Sequence, residues 1–192
     1  MPAVVYVAAQ MTGPGRVKHN GRGDLVVPAS GRGAWVSSLF EGAGVPCRLS
    51  EDIAVDLWTK MIMNCVYNAL SALTRMQYGN LVAEPLATDV MRQVIAETVA
   101  VAQAVGVRLS EVNVTDAALK LGVAMAGATS STAQDIARGK RTEIDFLNGY
   151  VVRRGAELGV PAPVNQTLHG LVKLLEVNAP PRTPADPAHP LS

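Results

Sequence analysis

The sequence predicts a mainly α protein in which an all-helical domain follows a short α/β segment. Two observations carry this. From Asp52 to about Glu176 the chain is rich in helix formers, and glycines fall where helices would stop. Before Leu49 it reads instead as short apolar, β-branched runs separated by Gly, Pro and Asn. A third observation closes the chain. Pro180, Pro181, Pro184, Pro187 and Pro190 crowd residues 178–192, which are therefore expected to be an extended, disordered tail.

The elements follow in order. Val4-Val5-Tyr6-Val7-Ala8 is a first strand, and Gly13-Pro14-Gly15 is a turn. Arg16-Val17-Lys18-His19 and Asp24-Leu25-Val26-Val27 read as two short strands, with Asn20-Gly21 and Gly23 making a hairpin between them. A helix is expected over 34–43. Val45-Pro46-Cys47-Arg48-Leu49 reads as a last edge strand with its proline near the start. So few strands with one helix cannot bury both faces of a sheet. Residues 1–49 are therefore expected to be the end of a larger α/β domain, with an apolar face left open.

Helices are expected next over 53–75, from 85 or 86 to 104, and over 112–126, 131–137, 142–158 and 165–175. Gly106, Gly127, Gly139 and Gly159 stand where C-cap glycines belong. Pro161 and Pro163 come after the long helix, where continuation is not required. Residues 50–177 thus read as one helical domain.

Composition narrows the function. Apolar residues make up 48% of the chain and aromatic residues 4%, so the core must be aliphatic. A net charge of +1 gives no footprint for nucleic acid and no reason to propose an anionic membrane surface. Cys47 and Cys65 show neither a disulfide framework nor zinc-ligand spacing, and read as buried free thiols. His19, His169 and His189 are scattered, so no metal site is expected. The opening lacks a basic region before its apolar run, and no run is long enough to span a bilayer. A soluble, cytoplasmic protein is expected.

Gly31-Arg32-Gly33 follows a strand and precedes a helix, as a dinucleotide-binding loop would. The third glycine of that fingerprint is replaced by Val36, and no βαβ unit with an acidic ribose partner follows. A plain strand-to-helix turn is the better reading.

The most informative segment is Trp58 to Leu70. Lys60, Asn64 and Asn68 recur at i, i+4 and i+8, on one side of a helix whose other positions are nearly all apolar. Buried Lys and Asn need partners or a wet cleft. The stripe is thus either the wall of a polar pocket or the solvent face of an amphipathic helix. As a pocket wall it suits proton transfer: a partly desolvated lysine releases a proton more readily, and asparagines donate and accept without adding charge.

Two further segments have both a structural and a functional reading. Ser131 with Gln134 fits a capping box, and Thr142 with its following acids fits a helix cap. Equally, Ser131 could bind a carboxylate at a helix N-terminus, and Glu143 could hold a hydroxyl or orient a lysine. No Ser–His–Asp or Cys–His arrangement is present in the text.

Together these segments resemble the ketopantoate reductase (2-dehydropantoate 2-reductase) family. The resemblance rests on Leu57-Trp58-Thr59-Lys60 with Asn64 and Asn68, and on Ser130-Ser131-Thr132-Ala133-Gln134-Asp135. Gly139-Lys140-Arg141-Thr142-Glu143-Ile144-Asp145, Asn148-Gly149 and Gly159-Val160-Pro161 with Pro163 and Asn165 extend it. It implies a helical C-terminal substrate domain preceded by the end of an incomplete Rossmann domain. It implies NADPH-dependent reduction of a 2-oxo acid, ketopantoate to pantoate, in pantothenate and coenzyme A synthesis.

By the same resemblance Lys60 is the general acid, Asn64 and Asn68 hold the substrate and the lysine, Ser131 binds substrate, and Glu143 contacts substrate or bound cofactor. NADP is expected to be held mostly by a domain absent from this chain, leaving the chain alone inactive. The expected partner is a small 2-oxo acid, with no nucleic acid and no membrane; a homodimer stays open. The family often carries Asn where this chain has Tyr78 and Ala128, which bears on the substrate side. The rival reading is a stand-alone, non-catalytic helical module for small-acid binding or dimerisation.

Overall fold

The structure, a computed structural model, describes residues 1–178. The chain divides into two units, Met1–Met61 and Ile62–Ser192, and the division falls inside a helix. The expected tail at 179–192 lies outside the described residues.

The first unit is a three-stranded sheet in the order β1 (Val4–Gly13), β2 (Arg16–Pro28) and β3 (Cys47–Ser50). β1 and β2 are antiparallel, from Val4↔Val26 to Gly13↔Arg16. β3 lies parallel to β2, Leu25 opposite Cys47 and Pro28 opposite Ser50. A parallel neighbour needs a crossover, and α1 (Gly33–Gly42) supplies it.

The expected hairpin at Asn20-Gly21 is not there. The chain reverses at Pro14-Gly15, with Gly15 at φ 67, and the two short strands are one long β2. The glycines serve an irregularity within the ladder. Gly21, Arg22 and Gly23 take φ 134, 52 and 154, and the register shifts opposite Tyr6/Val7 and Ala8/Ala9. Such a bulge bends a strand without turning it back. β3 also starts later than the sequence suggested. Pro46 has no N–H for the ladder, and only its carbonyl pairs, with Leu25 N at 2.9 Å.

Gly33 explains the glycine loop. A Cβ there would lie 1.6 Å from the Pro28 carbonyl oxygen, so the glycine lets α1 start hard against the end of β2. Ser37 Oγ then donates to Cys47 O at 2.6 Å, fastening α1 to β3. Val4, Val26, Val27 and Cys47 are buried. Val5, Val7, Met11, Val17, Trp35 and Leu39 are exposed, so the first unit does carry open apolar surface as expected.

The second unit is helical. α2 (Ile53–Thr74) crosses the division between the units. Then come α3 (Tyr78–Ala83), α4 (Pro85–Ala104), α5 (Glu111–Ala124) and α6 (Ser131–Ala137). A single 3₁₀ turn (Ile144–Phe146) precedes α7 (Asn148–Leu158) and α8 (Pro163–Asn178). Ile62, Val66, Leu81, Met91, Ile95, Val101, Ile144 and Val151 are among its buried aliphatic residues. No described helix is long and apolar enough to cross a membrane.

Three differences from the sequence reading have physical causes. α3 is too short to show a period; it is held by Tyr78 N→Ala128 O and Gly79 N→Ala126 O, both 3.0 Å. The helix expected over 142–158 begins only at Asn148. Leu147, at φ −105 and ψ −105, separates it from the 3₁₀ turn, and Thr142 Oγ1 accepts from Ile144 N at 3.2 Å. Gly127 is not a C-cap: α5 ends at Ala124, and Gly127 is not among the residues with positive φ.

Candidate functional site

The named side chains fall in both units and are described within each. Lys60 belongs to the first. α2 carries it there, and its Nζ donates to the Val5 carbonyl oxygen of β1 at 2.6 Å. The same Nζ stands 5.6 Å from the centre of the Tyr6 ring. Lys60 is half-buried, so the stripe on α2 is not simply a solvent face. At the start of α2, Asp56 accepts from Arg48 at 2.5 Å and from the Ser50 hydroxyl, which ties the helix to β3.

In the second unit Asn64 is half-buried and Asn68 is 5% exposed. α6 is built against this part of α2. Ser130 Oγ donates to the Asn68 carbonyl at 3.3 Å, and Ser71 Oγ accepts from Ser130 N at 3.2 Å. Ser130 also caps α6, its Oγ accepting from Ala133 N at 3.0 Å. The capping role considered for Ser131 is therefore wrong by one residue. Ser131 is the first helical residue and is exposed, so its hydroxyl is not committed to the cap.

Glu143 is exposed, directly before the 3₁₀ turn, and its carboxylate has no hydrogen-bond or ion-pair partner among the described residues. Its neighbours are pinned. Glu176 Oε1 accepts from Thr142 N at 2.8 Å and from Thr142 Oγ1 at 2.7 Å. Asp145 pairs with His169 Nε2 at 2.7 Å and Lys173 Nζ at 2.9 Å. Hydrogen bonds from His169 and then Lys173 hold the Asp145 carboxyl below its ordinary value. Among the described residues no hydrogen bond or ion pair joins Glu143 to Asn68 or Ser131, whereas Ser130 ties Asn68 to the start of α6.

Sequence reasoning missed a buried polar chain beside these residues. Asn148 Nδ2 donates to Cys65 O at 3.1 Å and Asn165 Oδ1 at 2.9 Å. The Asn165 amide and backbone N–H reach Glu97 Oε2 at 2.8 and 2.9 Å. It fixes α7 and α8 to α2 and α4, and only its asparagines, beside Gly149 and after Pro163, hinted at it. Tyr78 is also placed. It stacks on Tyr67 at 4.2 Å, and burial pushes both phenols up to about 12, so both stay neutral. Among the described residues no cluster of His, Cys, Asp or Glu could hold a metal ion.

The family model described as ketopantoate reductase PanE/ApbA C terminal matches residues 52–176. The chain belongs to this family. The 2-dehydropantoate 2-reductase of Pyrobaculum aerophilum is 36% identical over 176 residues, covering 92% of this chain and 62% of that one. The crystal structure of a PanE/ApbA family ketopantoate reductase from Ralstonia eutropha superposes with a TM-score of 0.85 at 50% identity, covering 92% and 59%. A ternary structure of D-mandelate dehydrogenase with NADH and anilino(oxo)acetate matches at TM-score 0.82 and 25% identity, covering 92% and 59%. The chain thus spans about three-fifths of these relatives.

Proposed function

We propose that the chain is the substrate-binding half of a nicotinamide-dependent reductase that converts a 2-oxo acid to a 2-hydroxy acid. Ketopantoate to pantoate, with NADPH, is the specific reaction. The observation that carries the reading is the Lys60 ammonium held at 2.6 Å on the Val5 carbonyl. A fixed ammonium is a proton donor with a defined direction. Family membership over residues 52–176 supports the assignment.

In this reading Lys60 gives its proton to the substrate carbonyl oxygen as that oxygen gains negative charge. Asn64 and Asn68 hold the substrate's polar groups without adding charge. Ser131, free of capping duty, donates to the substrate carboxylate near the α6 N-terminus. Glu143 accepts from a hydroxyl of the cofactor. The reduced nicotinamide supplies the hydride when bound. The residues here fit only part of that cofactor. The unpartnered Glu143 carboxylate suits a ribose hydroxyl, whereas the one glycine-rich loop is spent on packing Gly33 against Pro28. Residues 1–49 are read as the end of the nucleotide-binding domain and 50–177 as the substrate domain.

The test is NADPH oxidation with ketopantoate and a panel of 2-oxo acids. It compares this chain with a version extended upstream to include any in-frame nucleotide-binding segment. Turnover is expected only in the extended form, with Lys60→Ala lowering kcat by about 10²–10⁴-fold. No turnover by either form with any acid would overturn the reading in favour of a non-catalytic module. Light scattering on both forms tests for a homodimer.

A further inference from the structure

Lys60 does not meet β1 through Val5 alone. Its Nζ also stands 5.6 Å from the centroid of the Tyr6 ring, within reach of a cation–π attraction. That ring is itself held. The Arg22 guanidinium lies 3.8 Å from the same centroid. Asp24, opposite Tyr6 in the β1–β2 ladder, grips Arg22 with two hydrogen bonds, Nε to Oδ1 at 2.9 Å and Nη2 to Oδ2 at 2.7 Å.

The backbone at Arg22 is unusual. It is a non-glycine residue at φ 52, flanked by Gly21 and Gly23 at φ 134 and 154, where the β1–β2 register shifts. A left-handed arginine is a strained choice in a strand, and bulges of this kind re-aim side chains. Here the Arg22 side chain lies over Tyr6 although its ladder partner is Val7.

We propose that Tyr6 is a positioning residue for Lys60. The ring, braced by Arg22 and Asp24, and the adjoining Val5 carbonyl together fix the ammonium in one place. The proposal rests on the reading of Lys60 as proton donor, because only then does its aim matter to chemistry. The charged groups near the ring are Arg22 and Asp24 on β2, Arg48 on β3 and Asp56 on α2. Two cations and two anions thus balance around the ring, and its face lies within cation–π reach of Lys60.

The test needs neither substrate nor cofactor. The chain is acylated with limiting acetic anhydride at one pH, and each lysine is followed by peptide mass spectrometry. Lys120 and Lys140, both exposed in the second unit, are internal references. A held ammonium reacts slowly, so Lys60 should lag both references. Tyr6→Leu should speed Lys60 by about threefold while Lys120 and Lys140 keep their rates. Tyr6→Phe, which keeps the ring, should retain the slow rate. An unchanged Lys60 rate in Tyr6→Leu overturns the proposal, as does equal acceleration in Tyr6→Phe. If Tyr6→Leu does not fold, Arg22→Gln decides: faster Lys60 acylation supports the brace and an unchanged rate overturns it. If Lys60 is not the proton donor, that appears separately, as retained turnover of Lys60→Ala in the extended enzyme.

Discussion

Ser130 and Asn68 are joined by a hydroxyl that also caps a helix. Ser130 Oγ donates to the Asn68 carbonyl at 3.3 Å and accepts from Ala133 N at 3.0 Å. Ser131, its neighbour, has neither task. The two serines should therefore separate stability from binding. Ser130→Ala should cost about 1–2 kcal/mol in urea unfolding, because a cap and a buried tie are lost together. Ser131→Ala should change stability by no more than about 0.5 kcal/mol and should weaken 2-oxo acid binding in the extended enzyme. Equal destabilisation by both would contradict the cap assignment.

Asp145 gives a pH dependence with a definite sign. His169 and Lys173 hold its carboxyl below the ordinary value of 3.8, so the folded state binds this proton less readily than the unfolded state. The stabilisation is complete above pH ~4 and fades as pH falls through the lower folded value. The side chain is 43% exposed, so screening keeps the effect below about 1 kcal/mol. Asp145→Asn should flatten stability against pH below pH ~4, and salt should shrink the difference. A mutant effect that grows with rising pH above neutrality would have the wrong sign.

Cys65 should be chemically silent in the folded chain. It is fully buried, and burial pushes its thiol far above the usual value, so almost no thiolate exists at neutral pH. Alkylation by iodoacetamide should require opening of the helical unit and should rise with urea in step with unfolding. Rapid labelling in native buffer would show that α2 opens locally near its middle.

Gly33→Ala tests the close approach of α1 to β2. The added Cβ would meet the Pro28 carbonyl at 1.6 Å, and backbone cannot swing aside as a side chain can. A cost of about 3 kcal/mol or more, or loss of soluble protein, is expected. Gly31→Ala should be milder: no atom lies within 4 Å of its Cβ, and strain arises only from φ 63.

Much of the fold was legible because its signals are local. The bounds of α4 and α6, the first residue of α2 and the helical character of the second unit follow from periodicity, caps and glycine stops. The turn at Gly13-Pro14-Gly15 was legible, but β2 was split by an extra hairpin, because Gly21 and Gly23 look the same in sequence whether they turn a chain or bulge it. Pairing with β1 made the choice. α3 escaped notice because its support comes from Ala126 and Ala128, far along the chain. The same is true of Thr142, whose partner Glu176 turned an expected helix start into a separate turn.

By itself the sequence determined the helical class, the Lys60–Asn64–Asn68 spacing and the absence of a complete dinucleotide fingerprint, because each depends on residues a few positions apart. Only the tertiary structure decided which serine is the cap, what holds the Lys60 ammonium and why Gly33 must be glycine. Those answers lie in contacts between distant segments: Ser130 with Asn68, Lys60 with Val5 and Gly33 with Pro28. A hydrogen bond or a close approach depends on distances in space, and residue spacing along the chain does not record them.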